Sequence, residues 1–157
     1  MQNLAGFRIV GGFSFDQQHL RDEIMRRFPA DPHEPSYRNR RTDPGYGYRA
    51  VHVLVCVDDV NIEIQIRTLA QHMWADLMER LADRLGRQIR YGGAPVPPPG
   101  TSQEAVQALV DSMMAVSETW ASAPPDLPGH LALSVDQFTD SVWQGLIAAL
   151  GKVGVDL

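Results

Sequence analysis

The sequence predicts an α+β (mixed α/β) domain built on a small mixed sheet, and three observations carry that expectation. A β-branched run from Tyr48 to Val57, a turn at Asp58-Asp59 and a second alternating run from Asn61 to Arg67 form the pattern of an antiparallel hairpin. An apolar run, Leu4 to Val10, ends at Gly11-Gly12 and leads into an amphipathic stripe, which is a strand, turn, helix unit. Leu69 to Gly86 repeats its apolar residues at helical spacing. Strands of both kinds with intervening helices define the class.

Taken in order, Leu4 to Val10 reads as a buried strand with Arg8 as its one charged member. Ser14-Phe15-Asp16-Gln17 has the spacing of a capping box, and Leu20, Ile24, Met25 and Phe28 line the helix that follows, up to Pro29. Ala30 to Gly47 is rich in Pro, Arg, Asp and Gly and is expected to be a long loop with a short strand near Tyr37. After the hairpin, Trp74, Leu77, Met78, Leu81 and Leu85 mark one face of a helix that Gly86 stops. Tyr91 to Gly100 is a Gly/Pro linker, and a second capping box at Thr101 to Glu104 opens a helix lined by Val106, Leu109, Val110 and Met113. Pro124 to Pro128 breaks the chain again before a last amphipathic helix, Ser134 to Leu150. Trp120, Trp143 and the methionines are expected in the core.

With 157 residues and 44% hydrophobic content, the chain suits one globular domain with a real core. A net charge of −5 argues against general binding to polyanions, which takes an excess of Lys and Arg. The single cysteine, Cys56, excludes an internal disulfide framework and sits in an apolar run where it reads as core. No run of about 18 apolar residues is present, and Met1 to Val10 is unlike a signal peptide, so no membrane association is expected and a cytoplasmic location is.

Chemistry concentrates on the hairpin. Alternation puts Ile62, Ile64 and Ile66 on one face of its second strand and Glu63, Gln65 and Arg67 on the other. Such a row is often only the solvated face of a sheet. Here, however, Tyr48, Ala50 and His52 share a face of the preceding strand and fall beside the Glu63 row if the two strands pair. A carboxylate holds Mg²⁺ or accepts a hydroxyl proton, a guanidinium grips phosphate, and a tyrosine ring stacks on a base. Upstream, Arg38, Arg40 and Arg41 form a basic cluster, either a phosphate site or a solvated charge run. His72, Asp76, Glu79 and Asp83 share a face of the long helix, but without a His-Glu-x-x-His pattern no metal is expected there, and His72 is placed to wall a cleft. Phosphate-loop, nucleophile-elbow and dinucleotide fingerprints are absent from the sequence.

Gly47 to His52, Glu63 to Thr68 and Gln71 to Ala75 resemble the synthetase motifs of the RelA/SpoT family, and Leu4 to Val10 resembles the first core strand of that domain. The resemblance covers roughly residues 3–93. It implies a sheet related to nucleotidyltransferases and Mg²⁺-dependent transfer of pyrophosphate from ATP to the 3′-hydroxyl of GDP or GTP, giving ppGpp or pppGpp. By motif, Tyr48 would stack on guanine, and Glu63 would hold Mg²⁺ or act as base. Arg67, Gln65, His52 and Arg8 would shape the phosphate site. Asn3 stands where the family carries a magnesium-binding Asp, and Arg40 and Arg41 are the cations nearest the position of the family's Pro-Lys step. The family's upstream basic segment has no counterpart, so an N-terminally truncated domain with an incomplete donor site is expected. The organisation expected is a synthetase core over 1–93, then a linker and C-terminal helices over 94–157. An inactive regulator binding nucleotides or a protein partner, and a toxin-like relative acting on tRNA, are the alternative readings; self-association is a further expectation.

Overall fold

The structure, a computed structural model, describes residues 5–12, 16–28, 37–42 and 44–121, with helical backbone also at Gln144, Ala148 and Gly151. The expected strand start at Leu4, the break at Pro124 to Pro128, the bulk of the helix at Ser134 to Leu150 and Trp143 lie outside the described residues. The chain divides into two compact units, one of residues 1–44 and 48–72, the other of residues 45–47 and 73–157.

The first unit is a four-stranded mixed sheet in the order β1-β4-β3-β2. β1 (Ala5–Gly11) runs parallel to β4 (Val60–Thr68), while β3 (Val51–Val57) pairs antiparallel with both β4 and β2 (Tyr37–Asn39). The expected hairpin is β3-β4, and its turn residues Asp58 and Asp59 both take positive φ, 50° and 60°. That is the two-residue turn whose twist matches that of the strands it joins. Helix α1 (Gln17–Arg27) packs on β3 and β4. Its Ile24 joins Val51, Val53, Val55 and Ile66 in a buried cluster, flanked by Leu20, Met25, Val57, Ile62 and Ile64. The same face of both central strands therefore supplies the core, as period-two alternation requires.

Gln17 locks this arrangement. Buried at the start of α1, its side-chain amide donates to the Ile66 carbonyl at 2.8 Å and to Gln71 Oε1 at 2.8 Å. Gln71 Oε1 in turn accepts from the Thr68 backbone N–H at 3.1 Å, which fastens the end of β4 to the start of α2 (Leu69–Leu85).

In the second unit Trp74, Leu77, Met78, Leu81 and Leu85 of α2 are buried, as are Val106, Leu109, Val110 and Met113 of α3 (Gln103–Ala121). The Trp74 indole N–H donates to the Met113 carbonyl at 2.7 Å, tying the two helices together. Gly86, at φ 96°, follows α2 in a backbone conformation that favours glycine. A short 3₁₀ turn, Arg87–Tyr91, follows and was not legible in the sequence.

Four expectations need correction. β1 is an edge strand among the described residues, with Phe7, Ile9 and Val10 exposed, because there it pairs with β4 alone and its apolar content reflects the pleat rather than full burial. The N-cap of α1 is Asp16, which accepts from the N–H groups of Gln18 and His19, so the helix starts two residues after the expected Ser14 cap; Asp is an equally good cap and lies at the right offset. In α3 the cap is Ser102, whose hydroxyl accepts from the Ala105 N–H, one residue after Thr101. Cys56 is only half-buried, because it alternates with Val55 and Val57 and faces away from the core. No helix among the described residues is long and apolar enough to cross a membrane.

Candidate functional site

Because Ile62, Ile64 and Ile66 turn toward α1, the alternate residues Glu63, Gln65 and Arg67 must project from the opposite face of β4. The register sets His52 of β3 opposite Gln65. Tyr48 stands four residues before His52 on the same alternation, ahead of the strand proper. The sequence thus brings these five side chains together through strand pairing alone.

They form a closed ring of hydrogen bonds. Gln65 Nε2 donates to Glu63 Oε1 at 2.8 Å, and Arg67 Nη2 donates to Gln65 Oε1 at 2.8 Å and to the Tyr48 hydroxyl at 2.8 Å. The Tyr48 hydroxyl lies 2.9 Å from His52 Nε2, and His52 Nδ1 lies 3.4 Å from Glu63 Oε2. Arginine can only donate, so the phenol accepts from Arg67 and has its own hydrogen to give to His52 Nε2. That assignment leaves the imidazole hydrogen on Nδ1, facing the carboxylate. The Arg67 guanidinium also covers the Tyr48 ring at 4.9 Å, and the His52 ring meets it edge-on at 5.6 Å.

The ring sets the charges. His52 first, and Gln65 after it, holds the Glu63 carboxyl down at about 2 against an ordinary 4.5, outweighing the partial burial that opposes ionisation. Glu63 is therefore a carboxylate throughout the neutral range. Burial pushes the Tyr48 phenol up, so it stays protonated and able to donate. Arg67 is only 3% exposed, and its cost of burial is offset by its two acceptors and the aromatic face beneath it, although Nε has no partner.

The remaining expected residues stand around this ring at different distances. Arg8 of β1 lies in register with Gln65, and its charge is felt at Tyr48. Arg40 follows β2 and its N–H bonds to the Ala50 carbonyl at 2.9 Å, extending the ladder toward the base of Tyr48. Arg41 is not brought to Glu63. Its carbonyl accepts from buried Arg49 at 2.6 Å, and its charge acts on Asp16 at the start of α1. Asn3 lies outside the described residues. His72 is half-buried at the start of α2, its Nδ1 without a partner. Asp76 and Glu79 pair with Arg80 and Arg90.

Of the basic cluster, Arg38 is the member that strand pairing sets opposite His52. In the sequence it belongs to a basic loop cluster; in the structure it sits on β2 opposite His52, and its charge contributes to holding Glu63 ionised. Strand alternation from Tyr37 was the available signal, but three residues are too few to fix a face.

Whether magnesium suits this face depends on the donor set. Among the described residues no group of three His, Cys, Asp or Glu stands together, so a cage made of protein alone is not what they offer. One ionised, partly exposed carboxylate is, however, the share Mg²⁺ commonly takes from a protein when nucleotide phosphates and water supply the rest. Glu63 fits that role.

The site thus stands on a four-stranded mixed sheet that buries one face under a helix and lines the other with an acid, a phenol and a guanidinium group. Its family follows from comparison: the sequence profile described as the region found in RelA / SpoT proteins matches residues 1–82, and the chain belongs to that family. An uncharacterized protein of Mycobacterium tuberculosis is 36% identical over 147 residues, covering 87% of this chain and 53% of its own length. The chain thus spans about half the length of the curated relatives it matches. Among solved structures, a GTP pyrophosphokinase family protein from Streptococcus pneumoniae shares the fold, with a TM-score of 0.50, 20% identity and coverage of 92% of this chain and 62% of that one. The small alarmone synthetase 1 from Bacillus subtilis aligns with a TM-score of 0.48 at 20% identity, covering 88% of this chain and 63% of that one.

Proposed function

We propose that this protein is a Mg²⁺-dependent pyrophosphotransferase that moves the β,γ-pyrophosphoryl group of ATP to the 3′-hydroxyl of GDP or GTP, giving ppGpp or pppGpp and AMP. The observation that carries the reading is the hydrogen-bonded ring, which presents an ionised Glu63 beside a Tyr48 ring whose hydroxyl is held by Arg67 and His52. Family membership supports it.

The chemistry asks little covalent work of the protein. Transfer of a phosphoryl group passes through a loose transition state, and catalysis is mostly positioning and charge stabilisation. The acceptor 3′-oxygen bonds to Pβ, the bond from Pβ to the oxygen bridging to Pα breaks, and AMP leaves with that bond's electron pair. Glu63, too weak a base at its depressed pKa to drive the step by early proton removal, accepts the hydrogen bond of the 3′-hydroxyl and aims its oxygen, and the proton passes to water once the bond to Pβ has formed. Tyr48, held at its hydroxyl by Arg67 and His52, offers a preorganised plane for the guanine. Arg8 faces the phosphates from the edge strand. When bound, Mg²⁺ would be held by Glu63 together with nucleotide phosphates and would offset the phosphates' negative charge.

Chromatography of protein incubated with Mg²⁺, ATP and GDP or GTP tests the proposal. Wild type is expected to form the 3′-pyrophosphorylated nucleotide. Glu63→Gln is expected to lose about 100-fold or more in rate, and chelation of Mg²⁺ to abolish turnover. Intact ATP and acceptor after prolonged incubation with wild type would overturn it.

A further inference from the structure

The apolar stripe of α1 opens on a glutamine. Leu20 and Ile24 face the core, and Gln17 precedes them on the same side of the helix, where it is only 2% exposed. A buried amide at a position suited to an apolar side chain is unfavourable unless its polar atoms are engaged. At Gln17 they are. Nε2 donates to the Ile66 carbonyl and to Gln71 Oε1, each at 2.8 Å, and Oε1 lies 3.4 Å from Gln71 Nε2. The orientation of both amides is dictated by the backbone. A carbonyl only accepts, so Gln17 Nε2 must meet Ile66, and a backbone N–H only donates, so Gln71 Oε1 must meet Thr68, at 3.1 Å.

What the pair grips is the backbone on both sides of Arg67. The Ile66 carbonyl belongs to the peptide plane that enters Arg67, and the Thr68 N–H to the plane that leaves it. Holding both planes restricts φ and ψ of Arg67 and so fixes the direction in which its side chain leaves the strand. Gln71 is itself anchored, since its N–H donates to the Thr68 hydroxyl at 3.3 Å at the head of α2. Strand pairing leaves this stretch in need of support. The ladder with β3 ends at the Val51–Ile66 pair, one residue short of Arg67, and β1, an edge strand among the described residues, accompanies it at Val10. The head of Arg67 is also held at one end: Nη2 reaches Gln65 Oε1 and the Tyr48 hydroxyl, while buried Nε has no partner. Its aim is therefore set at the Cα.

We infer that Gln17, acting through Gln71, is a positioning residue of the candidate site: from the core side of the sheet it sets the backbone of Arg67 and thereby holds the Tyr48 hydroxyl and ring in place for a guanine base. This rests on the nucleotide reading above and adds to it a residue of α1, on the face of the sheet away from the Glu63 row. Side chains that preorganise a binding group work in this way, by locking the geometry of the group that makes the contact.

The test uses the full chain and two readouts, the Nε–H resonance of Arg67 in nuclear magnetic resonance, identified by its loss in R67K, and the affinity for GDP measured by calorimetry. Q17L keeps roughly the volume and removes both donated bonds. It is expected to fold cooperatively, to shift or broaden the Arg67 resonance and to weaken GDP binding about ten-fold. Q71L is expected to act in the same direction. Q71E keeps the oxygen that accepts from Thr68 and Gln17, so it is expected to retain the wild-type resonance, a contrast with Q71L that lost packing alone does not give. An unchanged resonance in folded Q17L, or a changed resonance with the GDP affinity of wild type, would overturn the inference. If Q17L does not fold, Q71L and Q71E decide in its place, and equal behaviour of those two is the contrary result. No GDP binding by wild type, with the resonance still dependent on Gln17, would sink the nucleotide reading and leave the hold on Arg67 standing.

Discussion

Glu63 owes its charge to what surrounds it, and that dependence is measurable. Its folded pKa of about 2 lies below the ordinary 4.5, so its contribution to stability is complete above that ordinary value and is lost as pH falls from about 4.5 through 2. Urea unfolding of wild type and Glu63→Gln over this range is expected to show wild type losing its advantage on acidification; a pH-independent difference between the two would contradict the ring. At this scale much was legible in the sequence. Alternation alone placed Glu63, Gln65 and Arg67 together, and pairing of the hairpin brought in Tyr48 and His52. What alternation does not give is the closure of the ring, since that depends on the reach of the Arg67 side chain back to the Tyr48 hydroxyl. The place of Arg38 on a strand was hidden for another reason. Its partner His52 belongs to the next strand, β3, and nothing in a three-residue run announces that pairing.

Among the elements, the β3-β4 hairpin sets the register of the site, and its turn is strained. Asp58 and Asp59 both occupy the left-handed region that glycine tolerates best. Asp59→Gly is expected to raise stability by about 0.5–1 kcal/mol in chemical denaturation, with unchanged nucleotide affinity; destabilisation would mean that the turn is held by contacts of the aspartate itself. Gly47 gives the opposite case. It sits at φ 80°, an added Cβ would come within 2.7 Å of the Trp74 ring and 2.8 Å of Met114 Sδ, and its carbonyl accepts from the Ser117 hydroxyl. Gly47→Ala is expected to cost about 2 kcal/mol or more, read from the denaturation midpoint. Helices and strands were legible because their periodicities are long, whereas both caps were displaced because Ser, Thr and Asp compete as N-caps within one or two residues. The 3₁₀ turn at Arg87–Tyr91 is too short to show a period at all.

For the molecule as a whole, fold class followed from the hairpin and the strand, turn, helix unit, while the edge position of β1 did not, since apolar strands at an edge and in the centre look alike in sequence. Family membership supports the proposed chemistry, and the ring at Glu63 and Tyr48 would supply a physical means for it. The most direct measurement follows the pyrophosphoryl group itself, with ATP labelled at the γ-phosphate, unlabelled GDP or GTP, Mg²⁺ and purified protein. The label is expected on a guanine nucleotide at the 3′ position, with AMP formed in equal amount. Label released as inorganic phosphate or pyrophosphate, or left in ATP, would contradict it.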